Sequence, residues 1–199
     1  MAVASFKMSG IKELMKAVQG IQKGKRKVIT RALNKTARGA KTDAVKLIRQ
    51  HLMIKAKPVR ENVRISKATW SKPTAYLFAR GKRGVPLLGN YPVRPGRLGA
   101  RKPKQGVSVQ IKRFGGRKVI KGSFLAKMKS GHVGVFLRDS ADRLPIKQLH
   151  GMGFIQLLER GMIHRRLKKS IAKRMEKNLT HEINHLLQSN LKRTERLKK

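Results

Sequence analysis

Apolar side chains recur at helical spacing in the first part of the chain. Over residues 11–21 this pattern predicts a short amphipathic helix. Residues 28–52 predict a longer helix, because one face is apolar and rich in alanine while lysine and arginine occupy much of the other. A third helix is expected to begin at Pro58, since proline is tolerated in the first helical turn. Residues 11–62 are therefore predicted to form N-terminal helices.

The spacing of apolar residues changes in the middle of the chain. From residue 63 to residue 146 the period approaches two, which is typical of β-strands. Glycine-containing turns at Gly115-Gly116 and Ser130-Gly131 favour antiparallel pairing of their neighbours. Residues 81–106 hold most of the prolines and predict a long loop. The predicted strands are residues 63–67, 75–80, 107–112, 122–128 and 132–138, with a further strand or bend at 144–148.

The last part of the chain predicts a long helix. Its apolar positions recur every four residues from Ile163 to Leu187. Four residues overshoot one helical turn by roughly 40°, so this stripe winds around the helix. Two interpretations stay open. Part of the stripe packs on a neighbouring subunit, or a curved helix packs on its own sheet and ends in a basic tail from residue 191.

Together these patterns predict an α+β fold. The N-terminal helices pack on a central antiparallel β-sheet over residues 63–148, and a long C-terminal helix with a basic tail follows over residues 153–199. The chain has 199 residues, of which 39% are hydrophobic, enough for the core of one modest domain. A single domain over residues 1–199 is therefore expected, with a long basic loop at residues 81–106.

The chain carries far more positive than negative charge. It has 50 lysines and arginines against 9 acidic residues, a formal net charge of +41. A compact molecule with this charge repels itself, so its working state needs negative partners, either nucleic acid or acidic protein surfaces. The absence of cysteine excludes disulfides and thiolate metal sites. No stretch approaches the roughly 18 apolar residues of a membrane span, so no membrane partner is expected.

One long stretch of the chain is basic and contains no acid. Between Glu61 and Asp139 there are 19 lysines and arginines. Phosphate contact requires only positive charge near a nucleic-acid backbone, and aromatic stacking platforms are scarce here, so the pattern favours non-specific contact with duplex DNA. Acidic protein neighbours are the alternative partners of the same surface. The candidate DNA-contacting residues are Arg80, Lys82, Arg83, Arg94, Arg97, Arg101, Lys102, Lys104, Arg113, Arg117 and Lys118.

A literal zinc-hydrolase motif occurs near the end of the chain. His181, Glu182 and His185 match H-E-x-x-H, in which two histidines one turn apart bind zinc and the glutamate acts as a base. Against this, the only downstream candidate for a third ligand is Glu195, the segment is strongly basic, and Ile183 lies on the apolar stripe. The pattern therefore favours a solvated histidine face, with no metal, cofactor or catalytic residue expected. A zinc hydrolase is kept as a separate hypothesis.

The region around the second predicted hairpin resembles a known family. Residues 117–138 contain G-x-F-x-x-x-x-x-x-G-H-x-x-V-F-x-R, and residues 143–146 read R-L-P-I. This combination resembles the minor tail protein Z family of tailed bacteriophages, and residues 31–38, 55–60 and 182–187 fit the same family. The matching motif positions are Gly122, Phe124, Gly131, His132, Phe136, Arg138, Leu144, Pro145 and Ile146.

The resemblance implies architectural roles for these motif residues. Gly131 is expected in a turn, since glycine adopts backbone conformations that other residues avoid. Phe124 and Phe136 are expected in the core, and Pro145 is expected where the sheet ends. None of these roles involves chemistry on a substrate, so the resemblance implies a protein that is not an enzyme.

The resemblance also implies a place in the phage particle. Members of this family complete the tail at its head-proximal end, in the neck, beside tail terminator and head-tail connector proteins. We expect a hexameric ring of this chain that contacts the phage genomic DNA, assembled in the host cytoplasm and retained in the virion. A free protein that binds nucleic acid without sequence preference is the alternative, and its affinity is expected to fall steeply with salt.

Overall fold

A computed structural model describes residues 24–82, 84–99, 105–159 and 161–197. The predicted helix at residues 11–21 lies outside the described residues. The elements, in chain order, are α1 (Gly24–His51), α2 (Ala56–Asn62), β1 (Val63–Ser66), β2 (Tyr76–Ala79), β3 (Gly84–Pro86), β4 (Val93–Arg94), β5 (Gly106–Val109), β6 (Lys118–Lys121), β7 (Phe124–Lys127), β8 (Val133–Arg138), β9 (Ile146–Gln148), β10 (His150–Met152), α3 (Phe154–Glu159) and α4 (Gly161–Leu197). An irregular turn at Leu87–Asn90 joins β3 to β4.

The chain divides into two compact units. Unit one comprises the described residues up to Ala44, together with Val63–Ala79 and the described residues from Gly161 onward. Unit two comprises Val45–Asn62 and the described part of Arg80–Arg160. Each unit has buried residues of its own. The expectation of a single domain over the whole chain stays a prediction.

The core of unit one lies between α1 and α4. Val28 and Ala32 of α1 are 2% and 0% exposed, and the small alanine permits a close approach of the two helices. They pack with the buried side chains of Met175, Leu179, Ile183 and Leu186 of α4. Removal of this apolar surface from water stabilises the pair of helices.

The buried positions of α4 correct part of the predicted winding. From Ile171 to Ile183 they recur every four residues, as the sequence predicts, but the next buried position is Leu186, three residues on. A step of three falls short of a turn by about 60°, so it offsets half of the roughly 120° that the three steps of four accumulate. Leu187 is only partly buried, and Leu191 is 64% exposed. The buried stripe therefore winds by roughly 60° from Ile171 to Leu186, less than the period of four alone predicts.

Polar contacts fix the direction of α4 relative to α1. Asp43 accepts a hydrogen bond from Ser170 and pairs with Arg174, whose Nη2 lies 2.7 Å from its carboxylate. Nearer the start of α1, Lys35 pairs with Glu182. Because later residues of α1 meet earlier residues of α4, the two helices are antiparallel.

The remainder of unit one is a hairpin of β1 and β2. Its register runs from Val63 opposite Ala79 to Ser66 opposite Tyr76. The segment after β1 is tied to α1, because the Asn34 side chain donates to the Ala68 carbonyl at 3.0 Å and accepts from the Ala68 N–H at 2.8 Å.

Unit two contains three small antiparallel sheets. β3 pairs with β10, β5 lies between β4 and β6, and β8 lies between β7 and β9. The α+β class, the antiparallel pairing and the long C-terminal helix are confirmed. In the described residues, the predicted central sheet is instead divided into four small sheets, one of which is β1–β2 in unit one. Most strands end after two to four residues at a glycine, a proline or a turn, so they do not build one continuous sheet.

Two predicted elements differ from the structure. Residues 81–106 are not one loop, since they contain β3, β4 and the first residue of β5. Tyr91 is 2% exposed and its hydroxyl donates to the Met152 carbonyl, which anchors these short strands. Strands of two or three residues give no detectable alternation, so the sequence pattern missed them. The helix predicted from residue 153 is two helices, α3 and α4.

Candidate nucleic-acid interface

The sheet of β4, β5 and β6 carries a cationic face. Arg94 lies opposite Ser108 of β5, and Ser108 lies opposite Val119 of β6. Lys121 lies opposite Gly106, two positions along β5 from Ser108. Because opposed residues and every second residue of a strand share one side of a sheet, Arg94 and Lys121 project from the same face. Both are exposed, whereas Val107 and Val109 on the other face are buried.

The turn between β5 and β6 extends this surface. It contains exposed Lys112 and Arg113, and Lys118 begins β6 at its far side. Phe114, in the middle of the turn and directly before its two glycines, is 78% exposed. Gly115 and Gly116 have φ values of +121° and +68°, a region that favours glycine, so the turn depends on both. The result is an exposed aromatic ring flanked by cations.

Arg117 behaves differently from its neighbours. Its Nη1 donates to the carbonyls of Pro92 at 3.1 Å and Ser108 at 3.2 Å, and the side chain is partly buried. It therefore ties the turn to the segment before β4. Arg113 makes a looser tie, with its Nη1 3.3 Å from the carbonyl oxygen of Arg49.

The other candidate DNA-contacting residues are spread over unit two. Arg80 and Lys82 are exposed after β2, and Arg97 is exposed in the turn after β4. Arg94 shares the exposed face of the sheet with Lys121, whereas Lys118, opposite Val109, begins β6 on the other side. Arg113 and Arg117 lie in the turn between β5 and β6. Arg83, Arg101, Lys102 and Lys104 lie outside the described residues.

Sequence reasoning missed three residues of this surface. Lys112 and Lys121 belong to the basic stretch but are not among the predicted candidates, and the strand register that places Lys121 on the same face as Arg94 is not visible in the sequence. Phe114 is not among the predicted candidates. Its position directly before two glycines is the sequence signal that places it in an exposed turn.

The family motif residues lie in the sheet of β7, β8 and β9 and around it. Phe124 lies opposite Phe136, with ring centroids 6.5 Å apart, and the guanidinium of Arg138 lies 5.4 Å from the Phe124 ring centre. These contacts stabilise the sheet by aromatic packing and cation–π attraction. Phe136 is buried and Phe124 is partly buried.

The remaining motif residues occupy turns and edges. Gly122 and Gly131 have φ values of +70° and +82°, and the Gly131 N–H donates to the Met128 carbonyl in the β7–β8 turn. His132 Nε2 lies 2.8 Å from the Gln148 side chain. Leu144 and Pro145 are exposed before β9, and Ile146 begins it opposite Arg138. All nine motif residues thus lie in or next to one small sheet.

The H-E-x-x-H segment lies on α4 in unit one. His181 and His185 are exposed, but Glu182 is 6% exposed and its Oε1 lies 2.6 Å from Lys35 Nζ. Because Lys35 engages this carboxylate, Glu182 is not a free group available to activate a water. Among the described residues, no group of three or more histidine, cysteine or acidic side chains is placed to hold a metal ion.

A search of the described helices finds none that is both long and apolar enough to cross a membrane. This agrees with the strong charge of α4, the longest of them.

Comparison with known protein families identifies the family of this chain. The family model described as prophage minor tail protein Z matches residues 8–193, which confirms the resemblance seen in the sequence. No curated protein and no solved structure matches the chain. Because the matched residues make up most of the chain, it belongs to the prophage minor tail protein Z family and is a structural component of a bacteriophage tail.

Proposed function

We propose that the chain completes the phage tail at its head-proximal end and there contacts the packaged DNA without sequence preference. The cationic surface of β4, β5 and β6 carries this proposal, together with family membership. DNA leaving a phage head passes through the neck, where a protein with exposed cations meets phosphates. Contacts of this kind fix the duplex in position without reading its bases.

The distribution of charge supports the DNA contact. Arg94, Lys118 and Lys121 lie within a stretch of 77 residues that has no acidic side chain, so no carboxylate from this stretch neutralises them. The positive potential of the sheet is therefore available to an external anion.

The exposed apolar side chains support assembly with neighbouring proteins. Phe114, Val119 and Leu144 are 78%, 49% and 67% exposed in unit two. Aromatic and aliphatic side chains in such positions are typical of protein contacts. We propose that the chain forms a hexameric ring. Copies with a net charge of +41 repel one another, so a ring needs negatively charged neighbours. We propose that the tail terminator and the head-tail connector provide these acidic surfaces.

The position of the chain in the particle tests the tail-completion role. A tagged chain is assembled into tails that lack it, and the particles are imaged with and without heads. We expect density for the tag at the head-proximal end, and tails without the chain that fail to join heads. Density at the distal tip, or normal joining without the chain, would contradict the proposal.

A matched pair of variants tests the DNA contact. Arg94→Gln with Lys121→Gln removes two charges from the cationic face of the sheet, and Lys168→Gln with Lys169→Gln removes two exposed charges from α4. With a 20-base-pair duplex, the slope of log K against log salt is expected to fall by up to about 1.8 for the sheet variant, at about 0.9 for each lost phosphate contact. An equal fall for the α4 variant would mean that the sheet is not a preferred contact.

A free nucleic-acid-binding protein is the second candidate function. The net charge of +41 favours it, because such a chain binds any polyanion at low salt. Fractionation of infected cells separates the two functions. A tail component sediments with tails at high salt, whereas a free binder is released from its nucleic acid and stays in the soluble fraction.

A further inference from the structure

Unit one contains a cleft that the β4–β5–β6 surface does not explain. Its volume is about 540 Å³, and its lining comes from three elements: α1, α4 and the segment after β1. We call it the α1–α4 cleft. All of its lining residues belong to unit one, so its geometry is set within that unit.

One wall of the cleft is a row of cations on α1. Arg31, Lys35 and Arg38 line it at positions i, i+4 and i+7 of the helix, which lie on one face. Arg31 and Arg38 are exposed, so their guanidinium groups reach the opening. Guanidinium is planar and offers parallel N–H donors, a geometry that matches the oxygens of a phosphate.

The segment after β1 adds a fourth cation. Lys67 lines the cleft, and the next residue, Ala68, is fixed to α1 by its two hydrogen bonds with the Asn34 side chain. Ala68 is 5% exposed, so this tie is sheltered from water. Lys67 is therefore held beside the α1 cations by the fold.

The facing wall, on α4, contributes little negative charge. Among the described residues of the lining Glu182 is the only acidic one, and Lys35 pairs with it at 2.6 Å. His181 and His185 complete that wall and are donors or acceptors according to their tautomer. With the ion pair neutral, Arg31, Arg38 and Lys67 leave a net charge of about +3 around the cleft.

We propose that the α1–α4 cleft binds a phosphate group of a nucleic-acid backbone. A divalent metal is disfavoured, because the cations repel it and Lys35 engages the one carboxylate found in the described lining. The volume lies within the 300–1,000 Å³ of typical small-molecule sites, enough for a phosphate with its attached sugar and more than a single acidic side chain fills. The cleft is thus a second phosphate contact, in addition to the proposed contact in unit two.

Matched arginine variants of the full chain test this proposal. Arg31→Gln with Arg38→Gln removes two cleft charges, and Arg26→Gln with Arg166→Gln removes two exposed helical charges that do not line the cleft. Inorganic phosphate is titrated by calorimetry at constant ionic strength. We expect the cleft variant to bind at least tenfold more weakly than the control. Equal affinity in both variants would overturn the proposal.

A third variant has the opposite expected effect. Glu182→Gln removes the negative charge of the cleft and releases Lys35, which is 40% exposed and able to reach a ligand. Phosphate is expected to bind several-fold more tightly to this variant, and unchanged or weaker binding would overturn the proposal even if the double arginine variant fails to fold.

Two further probes distinguish a nucleic acid from other occupants. A 12-base-pair duplex should show a salt slope lower by about 1 to 2 for the cleft variant than for its control, at about 0.9 for each lost contact. If a poly-glutamate peptide depends on Arg31 and Arg38 while the duplex does not, the occupant is an acidic protein and the proposal fails. The variant that removes charges from the β4–β5–β6 sheet retains the α1–α4 cleft. Loss of DNA binding at the sheet is therefore measured independently of loss of phosphate binding at the cleft.

Discussion

Gly106, the first residue of β5, has no room for a side chain. Its φ is +123°, and a Cβ built there would lie 2.1 Å from the carbonyl oxygen of Ile120 in β6. That oxygen accepts hydrogen bonds from both the N–H and the hydroxyl of Ser123. The Ser123 hydroxyl in turn accepts from the N–H of Val107 at 2.9 Å. The carbonyl therefore cannot move aside without disturbing a network that joins β5, β6 and the turn after β6.

The cost of Gly106→Ala follows from two contributions. Holding a non-glycine residue at this φ costs about 1–3 kcal/mol. Displacement of Ile120 weakens the hydrogen bonds around Ser123, at about 1 kcal/mol each. We expect Gly106→Ala to lower the free energy of unfolding of unit two by about 2–5 kcal/mol, a large part of the stability of a small unit.

Gly115 provides the matched control. Its φ of +121° is nearly the same, but a Cβ there would have nothing within 4 Å. Gly115→Ala therefore has the backbone cost alone, and the difference between the two variants measures the clash, about 1–2 kcal/mol. Hydrogen exchange of the β5 and β6 amides, with urea unfolding followed by circular dichroism, measures both. If Gly115→Ala is as destabilising as Gly106→Ala, the steric argument is wrong.

Two other predictions concern the core and pH. Ile183→Ala should destabilise unit one by about 2–5 kcal/mol, since the side chain is 0% exposed, whereas Leu191→Ala, at a 64% exposed position of the same helix, should change stability by less than about 0.5 kcal/mol. Urea unfolding followed by Trp70 fluorescence reports on this unit, and equal effects would contradict the assigned core. Burial raises the pKa of Tyr91 from 10.0 to about 12. As the pH rises, the unfolded chain loses the phenol proton of Tyr91 before the folded chain does. The free energy of unfolding should therefore fall between pH 10 and pH 12 by about 2 kcal/mol more in the wild-type chain than in Tyr91→Phe. Parallel stability curves for the two chains would refute this prediction.

The parts of the fold that were predictable are those with a long regular pattern. The period-four stripe of α4 identified a helix correctly, because burial against α1 selects apolar residues on one face over many turns. Alternation located β1, β2, β7 and β8 to within one or two residues. The pairing into four small sheets was not predictable, since periodicity marks which residues form strands and carries no record of their partners.

The candidate site shows the same limit. The basic stretch was visible in the sequence, but the two carbonyl contacts that hold Arg117 depend on how β4 and β5 are placed together. The α1–α4 cleft depends on the antiparallel register that brings Lys35 to Glu182, residues far apart in the chain. Side chains with the same charge thus have different roles according to tertiary contacts.

The inward placement of two acids has a consequence for the order of assembly. Asp43 and Glu182 are 15% and 6% exposed at the contact of α1 with α4, so two of the 9 carboxylates in the chain are directed away from its surface. These two carboxylates therefore do little to offset the net charge of +41 at the surface, and repulsion between copies extends over the screening length of about 8 Å at physiological salt. In the proposed tail assembly an anionic partner surface lowers this repulsion, so the chain is expected to associate with itself only after it meets such a partner.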